Sequence, residues 1–213
     1  MKIKWLGHAC FLLTDERGIR VLTDPFDEKV GYRLPAVEAD IVTTSHNHYD
    51  HNNTGVVKGS FVHIARPGSY CEKGLEIKGI PTYHDEDEGT RRGENTVFVF
   101  SMDGLRVCHC GDLGHIPTPA QAEAIGPVDI LLVPVGGTYT IDAAGAHEVM
   151  KLLKPSVTIP MHFKTDVLGF PIDGVNRFLS AAGGGERTGN QEITVNGDSL
   201  KQLSRIMVLE YES

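Results

Sequence analysis

A short polar segment of the chain concentrates side chains that can do chemistry: three imidazoles and one carboxylate lie within six residues. They are His46, His48, Asp50 and His51, and they directly follow the apolar segment 41–44. In an extended chain, His46 and His48 can point toward one metal ion because they lie two residues apart. Asp50 and His51 lie past the bend and can reach a second ion. The spacing therefore predicts two adjacent metal sites on a loop at the end of a strand.

Four side chains cannot complete two coordination shells, so further ligands must come from distant parts of the chain. Three candidates each follow a strand-like segment: His84, Asp112 and His162. Ligands carried on loops at one rim of a sheet converge on a common edge, held there by the scaffold. We therefore expect these three side chains to meet the histidine-rich segment at one edge of a sheet.

The elements that must position these residues are mostly short strands. Turn signals bound strand-like segments at 2–6, 10–14, 19–23, 41–44, 61–65, 77–83, 96–100, 105–110, 130–134, 157–161 and 206–211. The short Met102-Asp103-Gly104 connection predicts a hairpin, so its two strands should be antiparallel neighbours.

Three helices are predicted among these strands. Thr118 is a capping residue followed by Pro119, with Gln121 three residues after the cap. A second helix should begin at Asp142 and end before Pro155, and a third should span 173–182. Strands, hairpins and a few helices together predict a mixed α/β layered fold.

Composition and charge narrow the class of protein. A chain of 213 residues suits one large domain, so we expect a single domain over 1–213. The formal net charge of −8 disfavours nucleic acid and anionic membranes as partners. No run of about 18 apolar residues is present, so no membrane-spanning helix is expected and a cytoplasmic location is favoured. The four cysteines are too few for a disulfide framework and are interpreted as reduced thiols.

The histidine-rich segment resembles a known signature. His46, His48, Asp50 and His51 stand as the His-x-His-x-Asp-His motif of the metallo-β-lactamase superfamily. Four local segments look like the branch of predicted metal-dependent hydrolases related to ascorbate-phosphate lactonase. These are Gly7-His8-Ala9, Gly111-Asp112-Leu113-Gly114-His115, Gly136-Gly137-Thr138-Tyr139-Thr140 and Ile159-Pro160-Met161-His162. The resemblance implies an α/β fold, a four-layered αββα sandwich.

The same resemblance assigns ligands to the later positions of the family pattern. His84 stands at the third histidine, Asp112 at the bridging carboxylate and His162 at the last histidine. One ion would be held by His84 together with the first two histidines of the signature, His46 and His48. A second ion would be held by Asp50, His51 and His162, and Asp112 would span both.

Two divalent ions held side by side can bridge a water molecule and lower its pKa toward neutrality. The hydroxide is then the nucleophile, so no side-chain nucleophile is needed. The resemblance implies that Asp50 orients this hydroxide and helps to deliver a proton to the leaving group. Histidine-rich sites favour Zn, although Mn or Fe would also be accepted.

Four further residues are candidates for supporting roles. Asp24 resembles the family's early aspartate, which accepts a hydrogen bond from a ligating histidine, but Asp before Pro also caps turns. His8, in a Gly-flanked turn, is a candidate catalytic residue or a structural histidine. Tyr139 and Lys164 are candidates for binding a substrate phosphate or carboxylate, or are simply solvated.

Other polar clusters are interpreted as structural. The segment Asp85-Glu86-Asp87-Glu88 is expected to be a solvated loop, and Cys108-His109-Cys110 is expected to pack within a strand. His63, His115 and His147 lack a partner signal in the sequence.

The favoured function is a dinuclear metal-dependent hydrolase of a small, anionic ester or lactone. A phosphodiesterase acting on nucleotide, RNA or phospholipid is one alternative. A non-catalytic metal-binding protein is another, although the complete ligand set argues against it. Flavodiiron relatives usually carry a carboxylate at the position of His48, and its absence favours hydrolysis over oxygen chemistry. The substrate partner is expected to be a small molecule, and the oligomeric state is left open.

Overall fold

Fourteen strands and three α-helices make up the computed structural model, which describes residues 1–211. The strands are β1 (Lys2–Gly7), β2 (Cys10–Thr14), β3 (Arg20–Thr23), β4 (Ile41–Thr43), β5 (Val62–Ile64), β6 (Gly68–Glu72), β7 (Leu75–Tyr83), β8 (Glu94–Met102), β9 (Leu105–His109), β10 (Ile130–Pro134), β11 (Val157–Met161), β12 (Glu186–Arg187), β13 (Glu192–Thr194) and β14 (Met207–Val208). The helices are α1 (Pro119–Ile125), α2 (Ala143–Leu153) and α3 (Asn176–Ala182).

Most strands belong to two six-stranded sheets. The first has the order β13-β1-β2-β3-β4-β5 and the second the order β11-β10-β9-β8-β7-β6, while β12 and β14 form a small parallel pair. In the first sheet, β1, β3 and β4 run in the same direction. In the second sheet, β7, β9, β10 and β11 share a direction. The loops that follow these strands therefore collect at one edge of each sheet.

Alternation along the strands of the first sheet separates two apolar clusters. Ile3, Trp5 and Phe11 belong to a large cluster that includes residues of both sheets. Cys10 and Leu22 belong to a smaller cluster on the opposite face of the first sheet. This period of two is what a strand buried on both faces requires.

The outer layers differ between the two sheets. Helix α1 packs on β7, α2 packs on β10, and α3 packs on α2, so the helices cover the second sheet. The first sheet is covered instead by the smaller cluster, which includes Phe26, Val30 and Tyr32 on and around the short 3-10 turn Glu28–Val30. The predicted mixed α/β sandwich is confirmed, with one helical outer layer and one that is largely irregular.

Local signals in the sequence account for several element boundaries. The Thr118 side chain accepts from the backbone N–H of Gln121, whose side chain accepts from the Thr118 backbone, so the predicted capping box is confirmed. The β8–β9 pair is antiparallel, as predicted, with Asp103 and Gly104 both at positive φ. Helix α3 starts at Asn176, later than predicted, because backbone bonds to Gly136 and Lys164 hold Asp173 outside the helix.

Three strands were not predicted from the sequence. β6 and β13 are sheet edges, and β12 pairs only with β14 in the described part of the chain. Their residues are largely polar and half-exposed or exposed, so they lack the apolar alternation that marks a strand. No helix within residues 1–211 has both the length and the apolar character that a bilayer crossing needs. All four cysteines are free thiols, and Cys10, Cys108 and Cys110 are buried.

Candidate metal centre

The histidine-rich loop begins where β4 ends, and one buried carboxylate accepts hydrogen bonds from both ends of the loop. Asp24 accepts hydrogen bonds from the backbone N–H of Ser45 (2.7 Å) and from the Ser45 hydroxyl (2.6 Å). It also accepts a hydrogen bond from Nδ1 of His51 (2.8 Å). A carboxylate can only accept here, so Nδ1 of His51 carries the proton and Nε2 is the free donor atom for a metal. Asp24 thus lies where the sequence placed it, behind a candidate ligand.

Three of the predicted ligands form an outer group, defined as His46, His48 and His84. One nitrogen from each of these rings lies within 4.8 Å of the others. His84 is buried, His46 is half-buried and His48 is exposed. The rings of His46 and His48 meet edge to face at 4.5 Å between centroids, and His84 approaches both. This is the trio that the sequence predicts for the first ion.

Four residues form an inner group, defined as His8, Asp50, His51 and His162. Their donor atoms also lie within 4.8 Å of one another, and all four residues are buried. Three of them are the trio predicted for the second ion. The fourth, His8, places Nε2 at 3.2 Å from Oδ2 of Asp50. The structure therefore adds one imidazole to the predicted set.

Asp112 lies between the two groups. Its carboxylate oxygens lie 3.1 Å from Nε2 of His51, 3.2 Å from Nε2 of His84 and 3.4 Å from Nε2 of His162. The backbone N–H of Asp112 donates to Asn95 Oδ1 (3.0 Å), a contact that no sequence signal indicated.

The residue before Asp112 must be glycine. Gly111 has φ 54°, and a Cβ atom there would lie 2.5 Å from both Asn95 Oδ1 and Ser45 Cβ. Backbone and side chains therefore approach closely enough at this position to place the carboxylate between the two groups.

The donor set fits metal ions better than it fits a self-contained hydrogen-bond network. Among residues 1–211, Nε2 of His46, His51 and His162 and Oδ1 of Asp112 are buried without a hydrogen-bond partner. Buried polar atoms are rarely left unpaired, because desolvation without a partner is costly. Imidazole nitrogens and carboxylate oxygens that converge in this way match the ligands of Zn and related divalent ions. The cluster is able to bind metal.

The carboxylates of the centre are held ionised. Burial by itself would raise the pKa of Asp112, but the neighbouring His162 and His51 hold it well below its usual range. Burial likewise opposes ionisation of Asp50, but the hydrogen bond with His8 and the neighbouring His51 lower its pKa. For His46, burial and the neighbouring His51 lower the pKa to about 3. Asp112 and Asp50 as anions and His46 as a neutral imidazole are in the protonation states that metal ligation requires.

Two histidines of the inner group occupy left-handed backbone conformations. His8 has φ 51° and His162 has φ 49°, and their rings lie in contact, tilted by 41° with centroids 4.2 Å apart. The carbonyl of His8 accepts from the His162 N–H (3.1 Å) and from Nε1 of Trp5 (3.0 Å). Such conformations cost energy in non-glycine residues and cluster at functional sites.

A cavity of about 550 Å³ opens above the centre. Its floor includes Asp50, Asp112 and His162, and its walls include Tyr139 and Phe170, whose rings meet edge to face. A cavity of this volume suits a small organic molecule. The structure therefore brings Tyr139 to the site, and it adds Phe170, which the sequence did not indicate.

Comparison with known proteins identifies the family. Residues 2–162 match the family described as Beta-lactamase superfamily domain. The chain belongs to this superfamily. A proposed Zn-dependent hydrolase of the metallo-β-lactamase superfamily from Thermotoga maritima, whose crystal structure is known, is 46% identical. That alignment covers 99% of each chain with a TM-score of 0.83.

Curated relatives of this superfamily member point the same way. A UPF0173 metal-dependent hydrolase from Thermoplasma acidophilum is 32% identical, with 78% of this chain and 84% of the relative covered. A UPF0173 metal-dependent hydrolase from Carboxydothermus hydrogenoformans is 33% identical, with 78% and 85% covered. The predictions of a metallo-β-lactamase fold and of a metal-dependent hydrolase are confirmed.

The structure does not bring Lys164 of the hydrolase to the cavity. Its ammonium group donates to the carbonyls of Leu168 and Phe170, so it fastens the loop that carries Phe170. The cation that does line the cavity is Arg92, which the sequence reasoning missed. The sequence signal for Arg92 is its position in the loop between β7 and β8, the loop that begins with His84.

The acidic segment that follows His84 is not wholly solvated, as was expected. The Asp85 carboxylate is buried and accepts from four backbone N–H groups, those of Asp87, Gly89, Arg91 and Arg92, at 2.7 to 3.0 Å. Burial opposes ionisation, but these four donors lower the pKa of Asp85 to about 2. The Asp85 carboxylate thus stabilises the loop through hydrogen bonds in its buried interior. The prediction of a solvated segment is wrong for Asp85.

Four other histidines lie outside both groups, namely His63, His109, His115 and His147. His63 contacts the Thr44 hydroxyl at 3.0 Å, and Nε2 of His115 accepts from the backbone N–H of Tyr83 at 3.2 Å. His109 is buried within β9, where its Nε2 lies 2.7 Å from the carbonyl of Ala9. These contacts agree with the structural interpretation made from the sequence.

Proposed function

We propose that the protein is a dinuclear metal-dependent hydrolase of a small, anionic ester or lactone. The observation that carries this proposal is the arrangement of the outer and inner groups on either side of Asp112, beneath a cavity of about 550 Å³. Seven candidate ligands exceed the four that one tetrahedral ion uses, which supports two ions.

The outer group would hold one ion, and Asp50, His51 and His162 of the inner group would hold the other, with Asp112 shared. When bound, two divalent ions would supply an activated water molecule at neutral pH and would polarise the carbonyl oxygen of the substrate. The histidine-rich donor set favours Zn. The proposed Zn dependence of the relative from Thermotoga maritima supports the same choice.

Asp50 is the residue that would transfer a proton from the attacking water to the leaving group. Its carboxylate lies at the cavity floor and is kept ionised, so it can accept a proton from the attacking water. The water oxygen bonds to the carbonyl carbon, the bond from that carbon to the alcohol oxygen breaks, and Asp50 passes the proton to the leaving oxygen. In a lactone the same exchange opens the ring.

His8 would position Asp50 for this transfer. Its Nε2 lies 3.2 Å from Asp50 Oδ2, and burial together with the neighbouring His162 lowers the pKa of His8 to about 4. A neutral imidazole can donate one hydrogen bond to the carboxylate without competing for its negative charge. Its backbone at positive φ is held by Trp5 and His162, so the ring has little freedom to move.

The size of the substrate follows from the cavity and from charge. A cavity of about 550 Å³ suits a small molecule more than a polymer. The net charge of −8 repels polyanions at long range, which disfavours RNA and anionic phospholipid.

The direct test is reconstitution followed by a substrate screen. The full chain is stripped with a chelator, loaded separately with Zn, Mn and Fe(II), and analysed for bound metal. Each form is assayed on 4-nitrophenyl esters, aliphatic and sugar lactones, bis(4-nitrophenyl) phosphate and an RNA oligonucleotide. We expect two equivalents of metal and the highest kcat/KM on an ester or lactone. One equivalent at saturation, or highest kcat/KM on the phosphodiester or on RNA, would overturn the proposal.

A further inference from the structure

We propose that Arg92 binds an anionic group of the substrate, so that the hydrolase selects esters that carry a second, negatively charged group. This inference rests on the proposed function and refines its substrate class. Arg92 lines the same cavity as His84, Asp112 and His162. A guanidinium group recognises a carboxylate or a phosphate through paired N–H donors, which is the chemistry that a fixed anion subsite needs.

The Arg92 side chain is already placed by the protein. Its Nη2 donates to the carbonyl of Thr138 (3.0 Å), and its guanidinium carbon lies 5.6 Å from the centre of the Tyr139 ring. Both contacts come from the loop after β10, which is remote in sequence from the His84 loop. The group therefore spans the cavity wall before any substrate arrives, and its remaining N–H donors stay available for a ligand.

The backbone of Arg92 is fixed as well. Its N–H donates to the buried Asp85 carboxylate (2.7 Å), as does the N–H of Arg91 (3.0 Å). Asp85 directly follows His84, so one short loop couples a candidate metal ligand to the candidate anion subsite. The distance between metal and anion is thereby set by backbone hydrogen bonds and not by a flexible side chain alone.

Charge pairing distinguishes the two neighbouring arginines. The Arg91 guanidinium forms an ion pair with Asp87 and is exposed. No carboxylate within residues 1–211 forms an ion pair with the guanidinium of Arg92. The Arg92 guanidinium is held beside the candidate metal centre by neutral groups. Because no carboxylate neutralises its charge, that charge can attract a substrate anion.

A second cavity indicates which way the anionic end extends. It measures about 680 Å³, and it shares Asn47, His48 and Arg92 with the cavity above the centre. Arg66 lies on its wall, and the exposed Glu94 lies there too. Arg92 thus stands where the two cavities join. A substrate with its ester bond above Asp112 would extend its anionic end past His48 toward Arg92.

The test compares two esters that share a leaving group. The anionic ester is the 4-nitrophenyl monoester of adipic acid, and its neutral counterpart carries a methyl ester at the other carboxyl. Both are assayed with metal-loaded wild-type protein, Arg92→Met and Arg92→Lys. Arg91→Met is the matched control, because it removes one arginine charge from the same loop and retains the backbone bonds to Asp85.

We expect Arg92→Met to raise KM for the anionic ester about tenfold or more, with less than about a twofold change for the neutral ester. Arg92→Lys should recover part of the loss, because it restores the charge but not the planar fork. Arg91→Met should leave the ratio of the two KM values at the wild-type level. Equal effects on both esters would overturn the inference, as would an Arg91→Met effect equal to that of Arg92→Met.

Adipate binding, measured by calorimetry, tests the subsite without turnover. We expect wild-type protein and Arg91→Met to bind adipate alike, and Arg92→Met to bind it about tenfold more weakly. Hydrolysis of neither ester, with adipate binding that depends on Arg92, would count against the ester proposal and uphold the anion subsite. Metal-dependent hydrolysis of both esters, with binding that is indifferent to Arg92, would leave the proposed function standing and remove the subsite.

Discussion

The inner and outer groups contain similar donor atoms in different surroundings. Every residue of the inner group is buried, and Asp24 lies behind His51 as a hydrogen-bond acceptor. In the outer group His48 is exposed, and it borders both cavities. Buried ligands held by further hydrogen bonds are preorganised, whereas an exposed imidazole must be ordered by the metal itself. We therefore expect the inner group to bind its ion more tightly and the outer group to exchange its ion faster.

The largest effect is expected from Asp112→Ala, because this carboxylate contacts both groups and its loss should weaken metal binding in both. Hydrolysis should fall below detection, and both metal equivalents should be lost on gel filtration. The fold should persist, because no large apolar side chain is removed. Turnover, elemental analysis and circular dichroism check this. A folded variant with turnover near the wild-type level would mean that Asp112 does not bridge the groups.

His48→Ala should affect the outer group alone. We expect the bound metal to fall from two equivalents to one, with the remaining ion held by the inner group. Elemental analysis after dialysis measures the stoichiometry. The matched control is His147→Ala on α2, a half-buried histidine outside both groups. Retention of two equivalents in His48→Ala would show that the outer group does not depend on its exposed ligand.

Asp24→Asn should weaken the inner group more than the outer one. The substitution removes the negative charge that accepts from Nδ1 of His51, and it should lower the affinity for the inner ion about 10- to 100-fold. Competition with a fluorescent chelator resolves the tighter from the weaker ion. Equal loss of affinity for both ions would contradict the comparison between the two groups. It would mean that Asp24 acts on the whole histidine-rich loop through its hydrogen bonds to Ser45.

The smallest effect is expected from His115→Ala, which lies outside both groups. The variant should retain two metal equivalents and wild-type turnover. It loses the acceptor for the Tyr83 N–H, so the free energy of unfolding should fall by about 1 kcal/mol. Denaturant unfolding and elemental analysis check both statements. A loss of metal would place His115 among the ligands and extend the outer group beyond its three members.

The clustering of the candidate ligands could be predicted because each of them follows a recognisable strand or belongs to one dense motif. His84, Asp112 and His162 each follow a strand, and the strands that precede them share a direction in one sheet. Parallel strand ends meet at one edge, so position along the sequence translates into position in space.

The side chains that line the cavity walls could not be predicted from their positions in the sequence. Lys164 lies two residues after His162, yet its ammonium group bonds to the loop at Leu168 and Phe170. Arg92 lies eight residues after His84 and reaches the cavity because Asp85 folds the loop back. Long side chains on loops are directed by contacts between segments that are remote in sequence, so their spacing from a motif does not determine where they point.

The sequence by itself determined the residue types of the metal centre, most of the strands and the family, because these depend on short-range periodicity and on one dense motif. Tertiary structure alone decided that His8 joins the inner group, that Asp85 is buried, and that Arg92 faces the cavity in place of Lys164. The physical reason is that strand placement is dictated by burial of an apolar face, which repeats along the chain. A polar side chain is instead directed by individual hydrogen bonds and ion pairs, and those partners become known only when the chain has folded.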